Sequence, residues 1–261
     1  MNTFTIKRVI YLLLFLLSAR QITVAQNTNP VTPKTFGGSG QYSTWSIGLN
    51  LGATSPRLAI GGSDDFAHNV VALGYGLSVK KQLAYSFGLQ FDLNGGQVAG
   101  GSTVSKPFVT NTLGRKFISY RTNYWQGTIN GVVNVANVNY LHRENVINFY
   151  LNAGLGLASY SPSLVEYCTG AKFEYSGAMS NLVVPVGGGI RFKATDAIAF
   201  NVGYTLNFID GDNFDGVDYQ YPSKDHYSYG YAGVEFTLGT KSKKNLEWVN
   251  PVAIMYGELY D

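Results

Sequence analysis

Residues 70–94, VVALGYGLSVKKQLAYSFGLQFDLN, decide the fold. In the first half Val71, Leu73, Tyr75, Leu77 and Val79 alternate with Ala72, Gly74, Gly76, Ser78 and Lys80. In the second half Tyr85, Phe87, Leu89, Phe91 and Leu93 alternate with Ser86, Gly88, Gln90, Asp92 and Asn94. A period of two sets successive side chains on opposite faces of a strand, so the stretch predicts two strands joined by a tight basic turn. A soluble sandwich alternates in the same way, and what separates the two cases is the polar face. Glycine, serine and glutamine with an occasional charge suit the crowded, hydrated lumen of a small barrel. The long apolar row then faces lipid.

The same pattern recurs along the chain. Strands are predicted over roughly 44–52, 120–133, 146–158, 182–193, 198–208 and 227–238, besides the opening pair. Two glycines on the outward face, Gly127 and Gly131, make 120–133 the least regular, and Pro185 suits a strand end or bulge because it lacks a ladder donor. Long Gly-, Ser- and Asp-rich connections (53–68, 95–119, 159–181, 209–226) alternate with short ones, except for a longer turn at 134–145. The expected fold is all-β: an eight-stranded antiparallel transmembrane β-barrel with long external loops and short periplasmic turns. Such a barrel is filled by its own side chains.

Composition agrees. Aromatics make up 14% of the 261 residues and charged residues 13%, about half of the usual share of roughly 25%. Lys7 and Arg8, an apolar core over 9–17 and Thr23-Val24-Ala25 form a secretory signal peptide over 1–25, with cleavage expected between Ala25 and Gln26. The apolar core is too short to span a bilayer as a helix. Removing Lys7, Arg8 and Arg20 with the signal leaves 16 basic residues against 16 acids, which excludes a basic nucleic-acid surface. The remaining divisions are a flexible leader over 26–43, the barrel over 44–239 and a periplasmic tail over 240–261.

Three segments carry a family resemblance. Ala232-Gly233-Val234-Glu235-Phe236-Thr237-Leu238 resembles the closing-strand signal read by the barrel-assembly machinery, with Val234, Phe236 and Leu238 at its alternating apolar positions and Gly233 beside them. Asn123-Tyr124-Trp125-Gln126-Gly127 and the run from Asn148 to Gly156 are similar to strands of the outer-membrane protein A (OmpA) family. The resemblance implies residence in the outer membrane of a Gram-negative cell, among outer-membrane lipid and lipopolysaccharide, after insertion by the assembly machinery. Many family members continue into a peptidoglycan-binding domain. This sequence runs to Asp261 without one, so that activity is not carried over.

Candidate sites are few. Arg191, Lys193, Glu235 and Lys80 fall near the periplasmic ends of their strands and face inward. A charge in a narrow lumen must be paired or hydrated, so Arg191 and Glu235 are expected either to pair across the lumen, similar to the salt-bridge gate of the family, or to solvate the rim. In the tail, Asn250-Pro251 can start a helix whose Val252, Met255, Tyr256 and Leu259, with Trp248 before them, either dock on the barrel mouth, the membrane or a periplasmic partner, or fray. The acidic loop 210–218 fails the EF-hand pattern, since Gly211 and Pro222 stand where carboxylates are needed. No metal or other cofactor is expected, and Cys168 is alone. His226, with Asp225 and Ser228 beside it, is the nearest approach to a catalytic group, but adjacency in sequence rarely makes a working triad. The expected function is therefore non-enzymatic: a structural or partner-binding role in the envelope. The alternatives are a narrow solute channel, an enzyme acting at the outer rim, or a soluble lipocalin-like barrel.

Overall fold

The computed structural model describes residues 38–56, 68–105, 107–111, 113–137, 144–175, 177–211, 213–217, 225–240 and 243–250. The predicted signal peptide and most of the leader lie outside these. The strands are β1 (Trp45–Ser55), β2 (His68–Val70), β3 (Ala72–Gln82), β4 (Phe87–Gly101), β5 (Val109–Thr110), β6 (Lys116–Asn137), β7 (Ile147–Glu166), β8 (Lys172–Glu174), β9 (Met179–Lys193), β10 (Ile198–Ile209) and β11 (His226–Thr237). Eight of them (β1, β3, β4, β6, β7, β9, β10 and β11) pair antiparallel in chain order, and β11 returns to β1 with Leu49 opposite Val234. The ring is closed. Closure removes the sheet edges that would otherwise invite pairing with other chains.

The barrel is apolar outside and polar inside. Ile129, Leu155 and Leu157 are 63%, 60% and 66% exposed on its outer wall, and Leu49, Leu51, Leu73, Phe91, Phe200 and Val202 continue the belt. Isolated apolar side chains on a surface are ordinary, but a continuous band of aliphatics around a wall requires a lipid solvent. From Trp125 down to Val133 the belt is about 20–25 Å tall, the height of an outer-membrane hydrocarbon layer. Within the wall lie Ser46, Ser78, Gln126, Thr128, Asn130, Asn148, Asn201 and Asn207, all buried. A lipocalin-like carrier would have this polarity reversed.

The strands run further than alternation predicts. Residues 95–101 and 116–119, predicted as loop, extend β4 and β6: 95–101 pair with 119–125 (Gly95 with Trp125, Gly101 with Ser119), Lys116 and Phe117 pair with β5, and β7 continues to Glu166. Beyond the belt no lipid demands a large outward side chain, so Ser119, Arg121, Asn123, Ser161 and Ser163 stand there and the apolar alternation vanishes while the ladder continues. Gly95 has a steric reason: a Cβ there would lie 2.9 Å from the Trp125 ring, which rests edge-on against Tyr75 at 5.4 Å. The outward glycines of β6 lie beside the Phe87 and Phe91 rings, 3.5 and 3.9 Å from where their Cβ atoms would be. Pro185 falls in mid-strand and not at an end. It pairs with Asn207 of β10, while the β9–β7 ladder is interrupted between Val186 and Val183, where proline offers no donor.

Turns cluster at one end of the barrel, at Leu83–Ser86 and Ala194–Ala197, together with both termini of the described barrel. The long connections, with β2, β5 and β8, cluster at the other end.

Candidate functional site

At the turn end the barrel mouth is occupied by the chain's own tail. Leu246–Trp248 forms one turn of 3-10 helix, entered through Asn245, whose side chain accepts from the Glu247 amide at 3.0 Å and donates to Thr237 Oγ1 at 2.8 Å. The segment is stitched to the leader by Ser43 N to Lys244 O at 2.8 Å and Leu246 N to Ser43 O at 3.0 Å. Asn145 N donates to Trp248 O at 2.7 Å on the other side. Leu246 and Val249 pack with Tyr42, and Tyr85 covers them. Trp248 is 2% exposed. Of the places expected for Trp248, the barrel mouth, the membrane or a periplasmic partner, it lies at the first, covered by its own barrel. Val252, Met255, Tyr256 and Leu259, and the helix expected after Pro251, lie outside the described residues.

The 3-10 turn places Glu247 inside the lumen, where two cations meet two carboxylates. Lys80 Nζ lies 2.6 Å from Glu235 Oε1 and 2.6 Å from Glu247 Oε2. Arg191 lies 3.3 Å from Glu235 through Nε and 2.7 Å from Glu247 through Nη1. Ser46 Oγ donates to Glu235 at 2.6 Å, and the Arg191 guanidinium stacks over the Tyr150 ring at 3.9 Å. All four charged groups are buried. Charges so deep cost several kcal/mol each unless paired and hydrogen-bonded, and the alternating square meets that condition. Three of the four inward charges expected from the sequence, Lys80, Arg191 and Glu235, are thus in mutual contact. Lys193 is apart from them on the rim, 2.5 Å from Glu144 and 2.7 Å from Asp196.

Glu247 was not anticipated. Two signals point to it in retrospect: a lone acid inside the apolar run Leu246–Val249, and an excess of inward cations over acids near that end. Glu144 also holds the tail, bridging Lys193 of β9 and Lys244. Partial burial pushes the Glu144 carboxyl up, but the two ammonium groups outweigh this and hold it below the ordinary carboxylate range.

The loop end is closed by a different chemistry. Residues 213–217 fold into the mouth and seat the Phe214 ring against Tyr227 in a stack of 5.3 Å, beside Tyr160 at 5.0 Å and Tyr124 at 6.2 Å. Phe214 O accepts from Thr122 Oγ1 at 2.5 Å, and its amide donates to Asp225 Oδ2 at 2.7 Å. Gly216, at φ 82, makes the turn and brings its carbonyl to Tyr175 Oη at 2.9 Å. Val217 and Asp215 are buried beneath it.

The neighbours of His226 are occupied in structure. Asp225 binds the Phe214 amide, Ser228 Oγ donates to Ser55 O at 3.3 Å, and the His226 ring lies 6.2 Å from Phe208. Among the described residues no group of three His, Cys, Asp or Glu side chains is placed to hold a metal. Cys168 is exposed. In the closing strand, Phe236 and Leu238 lie on the lipid face, Val234 is half-buried, and Gly233 is tucked between Asn50 and Asn201.

No protein-family model matches the chain, and no characterised protein matches it in sequence. Among solved structures it is similar to Neisserial surface protein A, at 13% identity over 74% of this chain and 97% of that one, with a TM-score of 0.45. The outer-membrane protein OprG from Pseudomonas aeruginosa is 12% identical over 76% and 97%, with a TM-score of 0.43. The outer-membrane protease OmpT from Escherichia coli is 10% identical over 75% and 97%, with a TM-score of 0.38. Likeness this distant is one of barrel architecture and assigns no activity; the strand ladder and the apolar belt stand without it. The chain is an eight-stranded transmembrane β-barrel stoppered at each mouth by its own residues.

Proposed function

We propose that this chain is a non-enzymatic outer-membrane barrel with a structural or partner-binding role in the cell envelope. The observation that carries the reading is the double closure: Glu247 is held inside the lumen at the turn end, and Phe214 is seated in the mouth at the loop end. A barrel closed in this way contributes a rigid wall and two presented ends. In the membrane its belt meets outer-membrane lipid and lipopolysaccharide, the alternating row ending at Phe236 and Leu238 serves the assembly machinery, and the tail beyond Asn250 reaches a periplasmic partner. Export follows cleavage after Ala25. The experiment is planar-bilayer recording of the purified full chain. The expected result is an electrically silent membrane; a steady unitary conductance would overturn the reading.

The second reading is a narrow solute channel. It is favoured by the hydrophilic lumen wall and by the closure of the turn end through a tail segment that is no part of the wall. Conductance that appears in Glu235→Ala, and not in the parent, would support it. An enzyme at the outer rim is the remaining possibility, and hydrolytic or acyl-transfer activity that disappears in His226→Ala would establish it.

A further inference from the structure

Beyond the belt the outer wall continues on β4, β6 and β7, flanked by β2 and β8, and its chemistry changes. Outward from Trp125 along β6, the positions on the lipid side are Asn123, Arg121 and Ser119. Strand pairing sets their neighbours in three rows. Gln97, Asn123 and Ser161 form the first, Ala99, Arg121, Ser163 and Glu174 the second, and Gly101, Ser119, Val165 and Lys172 the third. Val70 of β2 stands opposite Ala99 at the end of the second row. A groove of about 370 Å³ lies across these rows, lined by Val70, Ala99, Ser119, Arg121, Ser163 and Lys172 among others.

Arg121 and Lys172 are exposed cations of this one groove, and among the described residues neither lies within ion-pair distance of an acid. Glu174, in the row of Arg121 but one strand beyond Ser163, pairs with neither. Farther out, Arg115 and Lys116 rest over the Phe173 and Phe108 rings at 5.2 and 4.3 Å. Against Glu166 and Glu174 these cations leave this side of the loop end positive. Between the belt and the cations stand Gln97, Asn123, Ser161 and Ser163, uncharged side chains with both donors and acceptors. Positive charge over a hydroxyl- and amide-bearing face is complementary to a phosphorylated saccharide. The planar fork of arginine matches phosphate oxygens, and lysine adds a point charge.

Height above the belt selects the source of that ligand. Arg121 is four residues beyond Trp125, about 10 Å above the edge of the belt for a strand tilted by about 40°. The headgroup layer of an ordinary bilayer reaches only about 5–8 Å beyond the hydrocarbon. Arg121 can bend down toward a phospholipid phosphate, but Lys172, in the row beyond, needs a taller partner. We propose that this groove binds the phosphorylated saccharide headgroup of an outer-leaflet glycolipid, with Arg121 and Lys172 on its phosphates and the serine and amide side chains on its hydroxyls. The acyl chains of the same molecule run down the belt past Trp125 to Leu157 and Ile129. The site rests on the outer-membrane residence proposed above, which puts the loop end in the outer leaflet.

The test is binding of fluorescent lipopolysaccharide to the full chain in neutral detergent micelles at low salt, with heat-modifiable gel migration confirming that each variant is folded. The double variant Arg121→Gln/Lys172→Gln should bind roughly thirtyfold more weakly, the loss expected for two interfacial cations. Dephosphorylated lipopolysaccharide should bind the parent about as weakly, which needs no variant at all. Lys81→Gln removes an exposed cation from the opposite end of the wall, where Lys81 rests over Trp45, and should leave binding unchanged. Equal affinity in parent and double variant, an equal loss in Lys81→Gln, or full binding of the dephosphorylated form overturns the proposal. Phosphatidylglycerol that competes as well as unlabelled lipopolysaccharide also overturns it, since a phospholipid would then be the ligand. None of these results depends on conductance, so the site can fail while the electrically silent barrel stands, and a conducting barrel leaves the site intact.

Discussion

Glu247 and Lys80 stand 167 positions apart in the chain and 2.6 Å apart in the lumen. That contact fixes the last described segment inside the mouth of the barrel, because Glu247 is paired on its other oxygen with Arg191 at 2.7 Å. Removing its carboxylate strands two buried cations facing one remaining acid. Glu247→Ala should therefore cost about 3–5 kcal/mol, the range for breaking a buried pair from one side. Urea unfolding in detergent measures it. Glu247→Gln keeps the shape and some hydrogen bonding, and should fall between the parent and the alanine variant.

The aromatic stopper can be weighed in the same way. Phe214→Ala removes a ring that Tyr124, Tyr160 and Tyr227 enclose, and buried Phe→Ala changes cost about 3–5 kcal/mol. The loop should open to proteolysis near residue 213 while the strand ladder, followed by far-ultraviolet dichroism, stays intact. Because the two stoppers lie in series, neither single variant should conduct. The double variant Glu247→Ala/Phe214→Ala should show conductance in planar bilayers. Conductance in either single variant would mean that one mouth alone closes the lumen.

Glu144 gives the tail a pH dependence. Its carboxyl is held below the ordinary range by Lys193 and Lys244, against the opposing effect of burial. A carboxyl lowered in the folded state adds stability that is fully present above its unfolded pKa and is lost as pH falls through the folded value. The tail should therefore loosen on the acid side of the carboxylate range and stay docked at neutral pH. Hydrogen exchange at residues 243–250, followed from neutral to acid pH, reads this directly. Glu144→Gln should flatten that acid limb without changing the barrel's own exchange.

Architecture was legible in the sequence wherever lipid was the solvent. From Leu49 to Leu238 every outward row inside the belt shows period two, since hydrocarbon tolerates only apolar side chains there. Legibility stopped where the solvent changed. Residues 95–101 and 159–166 are strand, but their outward side chains face water, and without a hydrophobic demand serine and glycine conceal the ladder. The inward charges Lys80, Arg191 and Glu235 could be found because position on a strand fixes the facing of a side chain. Glu247 and Phe214 lie on segments without periodicity. Their places depend on contacts 167 and about 90 positions away, which no local pattern encodes.

Trp125 stands at the loop-side boundary of the apolar belt. Its ring lies over Gly95 on one side and meets Tyr75 edge-on at 5.4 Å, a geometry that only a residue without a Cβ permits at position 95. Gly95→Ala would set a methyl 2.9 Å from the ring, so the indole must swing outward and surrender the contact with Tyr75. Overpacking of this kind costs about 1–3 kcal/mol. In a variant in which Trp45 and Trp248 are replaced by Phe, Trp125 is the only indole left to report. Its emission in lipid vesicles should then change position and become more accessible to an aqueous quencher on Gly95→Ala. Unchanged emission and unchanged stability would mean that the Trp125 ring does not rest on Gly95 in the bilayer.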